Sequence, residues 1–166
     1  MIRILGIDPG SVKTGYGIIE SNGQQSHYVD SGYIKLSSDS LALKLGQIYS
    51  EINTIIVNHK PEHMAVEQVF LSKNAASALK LGHARGAAMT AGVNSKLTLF
   101  EYSARAVKQS TVGYGAASKE QIQHMILRLL NIRKVLQEDE ADALAVALCH
   151  AHTGLNSQMG TGVKVK

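Results

Sequence analysis

Four carboxylates, Asp8, Glu67, Asp139 and Asp142, are the side chains whose type and spacing could do chemistry together. Asp8 closes an apolar run that starts at Ile2, Glu67 closes another that starts at His63, and Asp139 and Asp142 stand three apart at the start of a helical pattern. Acids three apart on a helix share one face and aim at a common point. Carboxylates gathered in one place repel each other, so a shared site requires protonation or a cation. Hard oxygen donors suit Mg²⁺ or Mn²⁺, and the sequence offers no complete Cys/His set for zinc. Two such ions about 4 Å apart activate a water and stabilise the departing oxygen of an in-line displacement at phosphorus, which is phosphodiester hydrolysis. Each acid also has a plain structural reading. Asp8 precedes Pro9-Gly10, where aspartate opens turns, and Glu67 can be a strand-end charge. Glu138, Asp139, Glu140 and Asp142 crowd a helix start, where acids cap amides and complement the dipole.

Hydrophobic periodicity supplies the elements that must position these acids. Residues 2–8 read as a buried strand and 14–20 as a second, joined by the turn-forming Pro9-Gly10-Ser11, with a third strand over about 26–36. Connections this short force antiparallel pairing. Leu41, Leu45, Ile48, Ile52 and Ile55 then mark an amphipathic helix ending before Pro61. A strand at 63–67, an Ala/Gly-rich helix at 74–91 and a strand at 96–102 follow. Ser103 caps a short helix through Gln109, and Gly113-Tyr114-Gly115-Ala116 reads as a mobile loop. Ser118 with Gln121 forms a capping box for the next helix, and a last helix spans 139–152. The helical crossover makes the first and fourth strands parallel, so Asp8 and Glu67 point to one sheet edge, at the carboxyl ends where such sheets bind ligands. The fold class is α/β, a mixed sheet of about five strands with helices on both faces.

At 166 residues, 45% hydrophobic and 18% charged, the chain builds one domain, expected over 1–152, with a disordered tail at 153–166. The single cysteine, Cys149, rules out an internal disulfide and fits a reducing cytoplasm. No apolar run is long enough for a membrane span. A net charge of +4 and a pI near 9.2 favour an anionic partner. Cys149, His150 and His152 do not complete a zinc site and read as structural.

The wording around the acids adds a resemblance. Ile4-Leu5-Gly6-Ile7-Asp8-Pro9-Gly10-Ser11 with Thr14-Gly15-Tyr16-Gly17 resembles the opening of the RuvC family. Glu67-Gln68-Val69-Phe70 with Lys73-Asn74-Ala75, then Ala78 to Gly82 and Ala84-Arg85-Gly86, resemble its second block. Val107-Lys108-Gln109 and Asp139 to Ala145 resemble later ones, and the match covers roughly the first 152 residues. The resemblance implies an RNase H-like fold, a homodimer, and Mg²⁺-dependent paired symmetric nicks in four-way (Holliday) junction DNA during recombination and repair, with Mn²⁺ able to substitute. It implies that Asp8, Glu67, Asp139 and Asp142 are the catalytic, metal-binding acids. Some members carry His at the third position, where this chain has Asp139. It further implies that Lys108 and Lys119 hold the scissile phosphate, that Phe70 stacks on a base at the junction centre, and that the partners are the RuvA and RuvB branch-migration proteins. The plain alternatives are two solvated lysines and a core phenylalanine. Lys73, Lys80 and Arg85 could meet phosphates as well.

Three rival functions share parts of this pattern. Actin-like ATPases and sugar kinases have a similar strand and turn around Asp8 but need a second lobe and a later glycine-rich adenosine segment. An RNase H-like RNA-processing nuclease would prefer RNA. A non-catalytic junction-binding module would bind without metal and be indifferent to Asp8→Asn.

Overall fold

The structure is a computed structural model and describes residues 1–69 and 74–155. Its elements run β1 (Ile2–Asp8), β2 (Lys13–Ser21), β3 (Ser26–Lys35), α1 (Leu41–His59), β4 (His63–Glu67), α2 (Ala75–Asn94), β5 (Thr98–Tyr102), α3 (Ala104–Val112), α4 (Lys119–Leu129) and α5 (Glu138–Cys149), closed by a π-helical turn, His150–Gly154. The strands form one sheet ordered β3-β2-β1-β4-β5. The short turns after β1 and β2 give antiparallel pairs, whereas α1 and α2 are crossovers that return the chain parallel to β1 and β4.

Alternation along β1 divides the core. Leu5 and Ile7 face one side, where they meet Ile18, Ile48, Ile52, Met64 and Ala88 beneath α1 and α2. Ile4 faces the other, with Ile19, Ala65, Ile126, Leu144 and Leu148 beneath α3, α4 and α5. Both faces of the central strand are therefore covered, and the run reads as continuously apolar for that reason.

On the second face α5 lies directly on strand backbone. A Cβ placed on Gly6 would sit 2.1 Å from the Ala143 carbonyl oxygen, and one on Gly15 would sit 2.0 Å from that of Asp139. Only bare glycine lets a helix approach so closely. That approach buries Ala141 and the whole stretch from Ala143 to Cys149.

Element ends differ from the sequence reading in local ways. β5 starts at Thr98 rather than 96, because Lys96 takes a left-handed φ of 63° that a strand cannot hold. α2 continues to Asn94 and α3 to Val112, where Gly113 at φ 91° ends it. The last helix changes at His150 into the π-helical turn, which carries residues 153 and 154 of the expected tail into ordered structure. Residues 156–166 of that tail lie outside the described residues. The expected capping box of α4 is present, Ser118 and Gln121 each bonding the other's backbone amide.

Candidate active site

Asp8 ends β1 opposite Gly15 of β2, and Glu67 ends β4 on the parallel neighbour, one position beyond the Ile7–Val66 pair. The two acids therefore leave adjacent strand ends in the same direction. Asp139 and Asp142 reach them from the first turns of α5, whose N-terminal end is seated on Gly15. The crowded acids at this helix start divide into two roles. The Glu140 carboxylate accepts a hydrogen bond from the Gln137 amide at 3.0 Å and is buried as the cap of the helix. Glu138 is taken by Lys119 in an exposed ion pair. Asp139 and Asp142 remain on the strand-end side.

Electrostatics shows that the four acids share one field. Burial lifts the Asp8 carboxyl from its usual acidic value to about 8, helped by the charges of Asp142, Glu67 and Asp139, while Lys119 opposes the rise. Glu67 is raised by burial and then by Asp142, with Lys108 and Lys119 lowering it. Asp142 is raised mainly by burial, then by Glu138 and Asp139, and Lys119 and Lys108 again oppose. The side chains do not close into a ready-made cage: among the described residues no three His, Cys, Asp or Glu form a metal-holding group. Ammonium groups flank the acids of α5, Lys13 Nζ lying 3.9 Å from Asp139 Oδ2 and Lys119 Nζ 4.0 Å from Asp142 Oδ2. The residue types nevertheless suit a hard divalent cation, since mutually repelling carboxylates are what such an ion neutralises.

A cleft of about 270 Å³ opens beside the strand ends, lined by Asp8, Pro9, Glu67, Gln68, Val69, Leu81 and Ala104. On the Lys119 side, Glu138 and Asp142 line a smaller hollow of about 130 Å³. A wider groove of about 430 Å³ between α1 and α2 is mostly apolar and holds none of the four acids. Lys108 on α3 is half-buried, and Lys119 at the start of α4 is exposed. Both bias the acids electrostatically, as above. Phe70 and Lys73 lie outside the described residues.

One cation near the acids, Lys13, escaped the sequence reading. Lys13 stands beside Asp139, with its ammonium 4.8 Å from the Tyr33 ring centre. Arg85 donates its Nε–H to the Glu67 main-chain carbonyl. Neither contact has a sequence signal of its own, because each joins residues far apart in the chain. His150, expected to be structural, sits in the core. It is fully buried and bonded through both ring nitrogens, Nε2 to His63 Nδ1 at 2.9 Å and Nδ1 to the Tyr102 hydroxyl at 2.7 Å.

Comparison with known proteins points the same way. The family model described as crossover junction endodeoxyribonuclease RuvC matches residues 4–150. A relative of that name from Idiomarina loihiensis is 53% identical over 161 residues, covering 94% of this chain and 90% of its own. One from Legionella pneumophila is 50% identical over 164 residues, covering 97% and 94%. Among solved structures, T. thermophilus RuvC in complex with a Holliday junction substrate superposes with a TM-score of 0.88 at 29% identity, covering 99% of each chain. The yeast mitochondrial Holliday junction resolvase, at 12% identity and a TM-score of 0.62 over 90% of this chain and 78% of its own, speaks to the fold alone.

Proposed function

Because this chain belongs to the RuvC family of crossover junction endodeoxyribonucleases, we propose that it resolves four-way DNA junctions by nicking two strands symmetrically, with Asp8, Glu67, Asp139 and Asp142 as its catalytic acids. The protein is a nuclease that hydrolyses phosphodiester bonds and uses divalent metal. The observation that carries the residue assignment is the burial of Asp8 at a strand end within the field of three other carboxylates.

Asp8 and Glu67 present their oxygens from rigid strand ends, and α5 presents those of Asp139 and Asp142 from the facing side. Bound divalent ions would supply the Lewis acidity that activates water and steadies the departing oxygen. Mg²⁺ is the ion we assign, with Mn²⁺ as a working substitute, because all four donors are hard carboxylates. Lys119 and Lys108 both lower the carboxyls of Glu67 and Asp142, and we assign their positive charges to neutralising those of the DNA backbone and the transition state. Phe70 belongs to the chain just beyond Glu67, and we assign it to stacking on an unpaired base at the junction centre.

One chain carries one set of acids, so two symmetric cuts call for a homodimer. RuvA and RuvB, the branch-migration proteins of the family, are the partners we assign, and the cytoplasm is the compartment that suits a buried, unpaired Cys149. No described helix is long and apolar enough to cross a membrane.

The test is incubation of the protein with a synthetic four-way junction, a matched linear duplex and an RNA/DNA hybrid, each with Mg²⁺ and with chelator. Paired, metal-dependent nicks in the junction alone are expected. Tight binding without cutting would favour the junction-binding module, and cutting of the hybrid would favour an RNA nuclease.

A further inference from the structure

The Glu67 main-chain carbonyl accepts a hydrogen bond from the side chain of another element. The Arg85 Nε on α2 donates to the Glu67 main-chain carbonyl at 3.2 Å, and the same guanidinium pairs with the Glu101 carboxylate of β5. Glu101 stands beside Val66 in the register, so the guanidinium spans the β4–β5 edge at the level of the acid. One residue later the Gln68 amide donates to the Tyr102 carbonyl at 2.8 Å, tying the chain down on the other side of the same peptide. The position from which the Glu67 side chain departs is thus pinned by one ladder bond and one arginine.

We infer that Arg85 is a positioning residue for Glu67, setting the direction of its carboxylate through the backbone rather than touching DNA. The inference rests on the reading of Glu67 as a metal-binding acid. A glutamate is a long lever. Small rotations of its peptide displace the carboxylate far more than the backbone, and misplacement on the order of 1 Å is costly in a catalytic constellation. The planar guanidinium suits this task because two acceptors at set angles, a carbonyl and a carboxylate, occupy its fork, where a lysine would offer a point charge. Its side chain is only 21% exposed, and its Nε and one terminal nitrogen are already engaged. Glu101, in turn, acts by orienting the arginine.

The experiment compares Arg85→Gln, Arg85→Lys, Glu101→Gln and, as a control, Glu67→Gln. Mn²⁺ binding to the DNA-free protein, junction affinity in chelator and the metal dependence of nicking are measured for each. Arg85→Gln is expected to raise the Mn²⁺ concentration for half-saturation by about tenfold, as loss of a group that supports a metal ligand does. Nicking should recover at saturating Mn²⁺, while junction affinity and its salt dependence stay unchanged. Arg85→Lys should fall between the two, and Glu101→Gln should move the same way by less, so these two decide the matter if Arg85→Gln does not fold. Unchanged Mn²⁺ binding, even with lowered thermal stability, would overturn the inference. Weaker junction binding with a shallower salt dependence would overturn it too, making Arg85 a phosphate contact. If Glu67→Gln itself leaves Mn²⁺ binding intact, the reading of Glu67 fails and the role of Arg85 with it. If Glu67→Gln weakens binding and the Arg85 variants do not, Arg85 alone is removed.

Discussion

At Asp8, burial and three like charges act in the same direction, and both oppose ionisation. A carboxylate at this position is unfavourable to the metal-free fold and useful only with a cation beside it. Asp8→Asn keeps the shape and removes the charge. The variant should lose nicking of a labelled junction entirely, yet bind that junction in chelator as the native protein does. Its metal-free form should melt higher at neutral pH, by about 2–4 °C for each kcal/mol of repulsion relieved. Retained nicking would exclude Asp8 from the catalytic set, and a lower melting point would favour the turn-forming reading. At this scale much was legible in the sequence. Asp8 and Glu67 ended recognisable strands, and Asp139 and Asp142 shared a helix face. Which of the clustered acids near 140 are spent on capping was not, since Glu138 and Asp139 precede Glu140 with nothing local to distinguish their partners.

The element that brings the two halves of the site together is α5, and the feature that admits it is a glycine floor. Gly15 lies beneath the Asp139 carbonyl, so Gly15→Ala must push the start of α5 away from β2. We expect a loss of about 1–3 kcal/mol from overpacking, measured by urea unfolding, together with a loss of nicking because Asp139 is displaced. Gly46 provides the contrast, being exposed within α1 with open space around its missing Cβ. Gly46→Ala should stabilise by about 0.5–1 kcal/mol and leave nicking unchanged. A fully active, fully stable Gly15→Ala protein would show that α5 is not held by this approach. The strands themselves were readable from alternation and short turns. The glycines within them were not readable as a helix seat, because a strand glycine reports a close neighbour without saying which one.

For the molecule as a whole, the described residues form one five-stranded sheet covered on both faces, with parallel strand ends and the start of α5 converging at one edge. Global stability should carry the mark of His150. Burial, followed by the neighbouring His63, lowers its pKa from 6.5 to about 3. The unfolded chain therefore takes up a proton on this ring before the folded one does. Its contribution is fully present above pH 6.5 and is lost as pH falls from there towards 3. Thermal or urea midpoints should decline over that window, and His150→Gln should flatten the decline. An identical acid limb in the variant would show that other groups govern it.

The sequence by itself determined the local and periodic features: strands from alternation, helices from their apolar stripe and caps, the α/β class from the order of elements, and four acids at the ends of elements. Each is encoded over a few neighbouring residues, where propensity and spacing act directly. Only the tertiary structure decided that α5 rests on Gly6 and Gly15, that Glu140 caps while Asp139 and Asp142 face the strand ends, and that Arg85 holds the Glu67 carbonyl. These contacts join residues brought together by the crossovers, and packing, which depends on all elements at once, selects among partners that local sequence leaves equivalent.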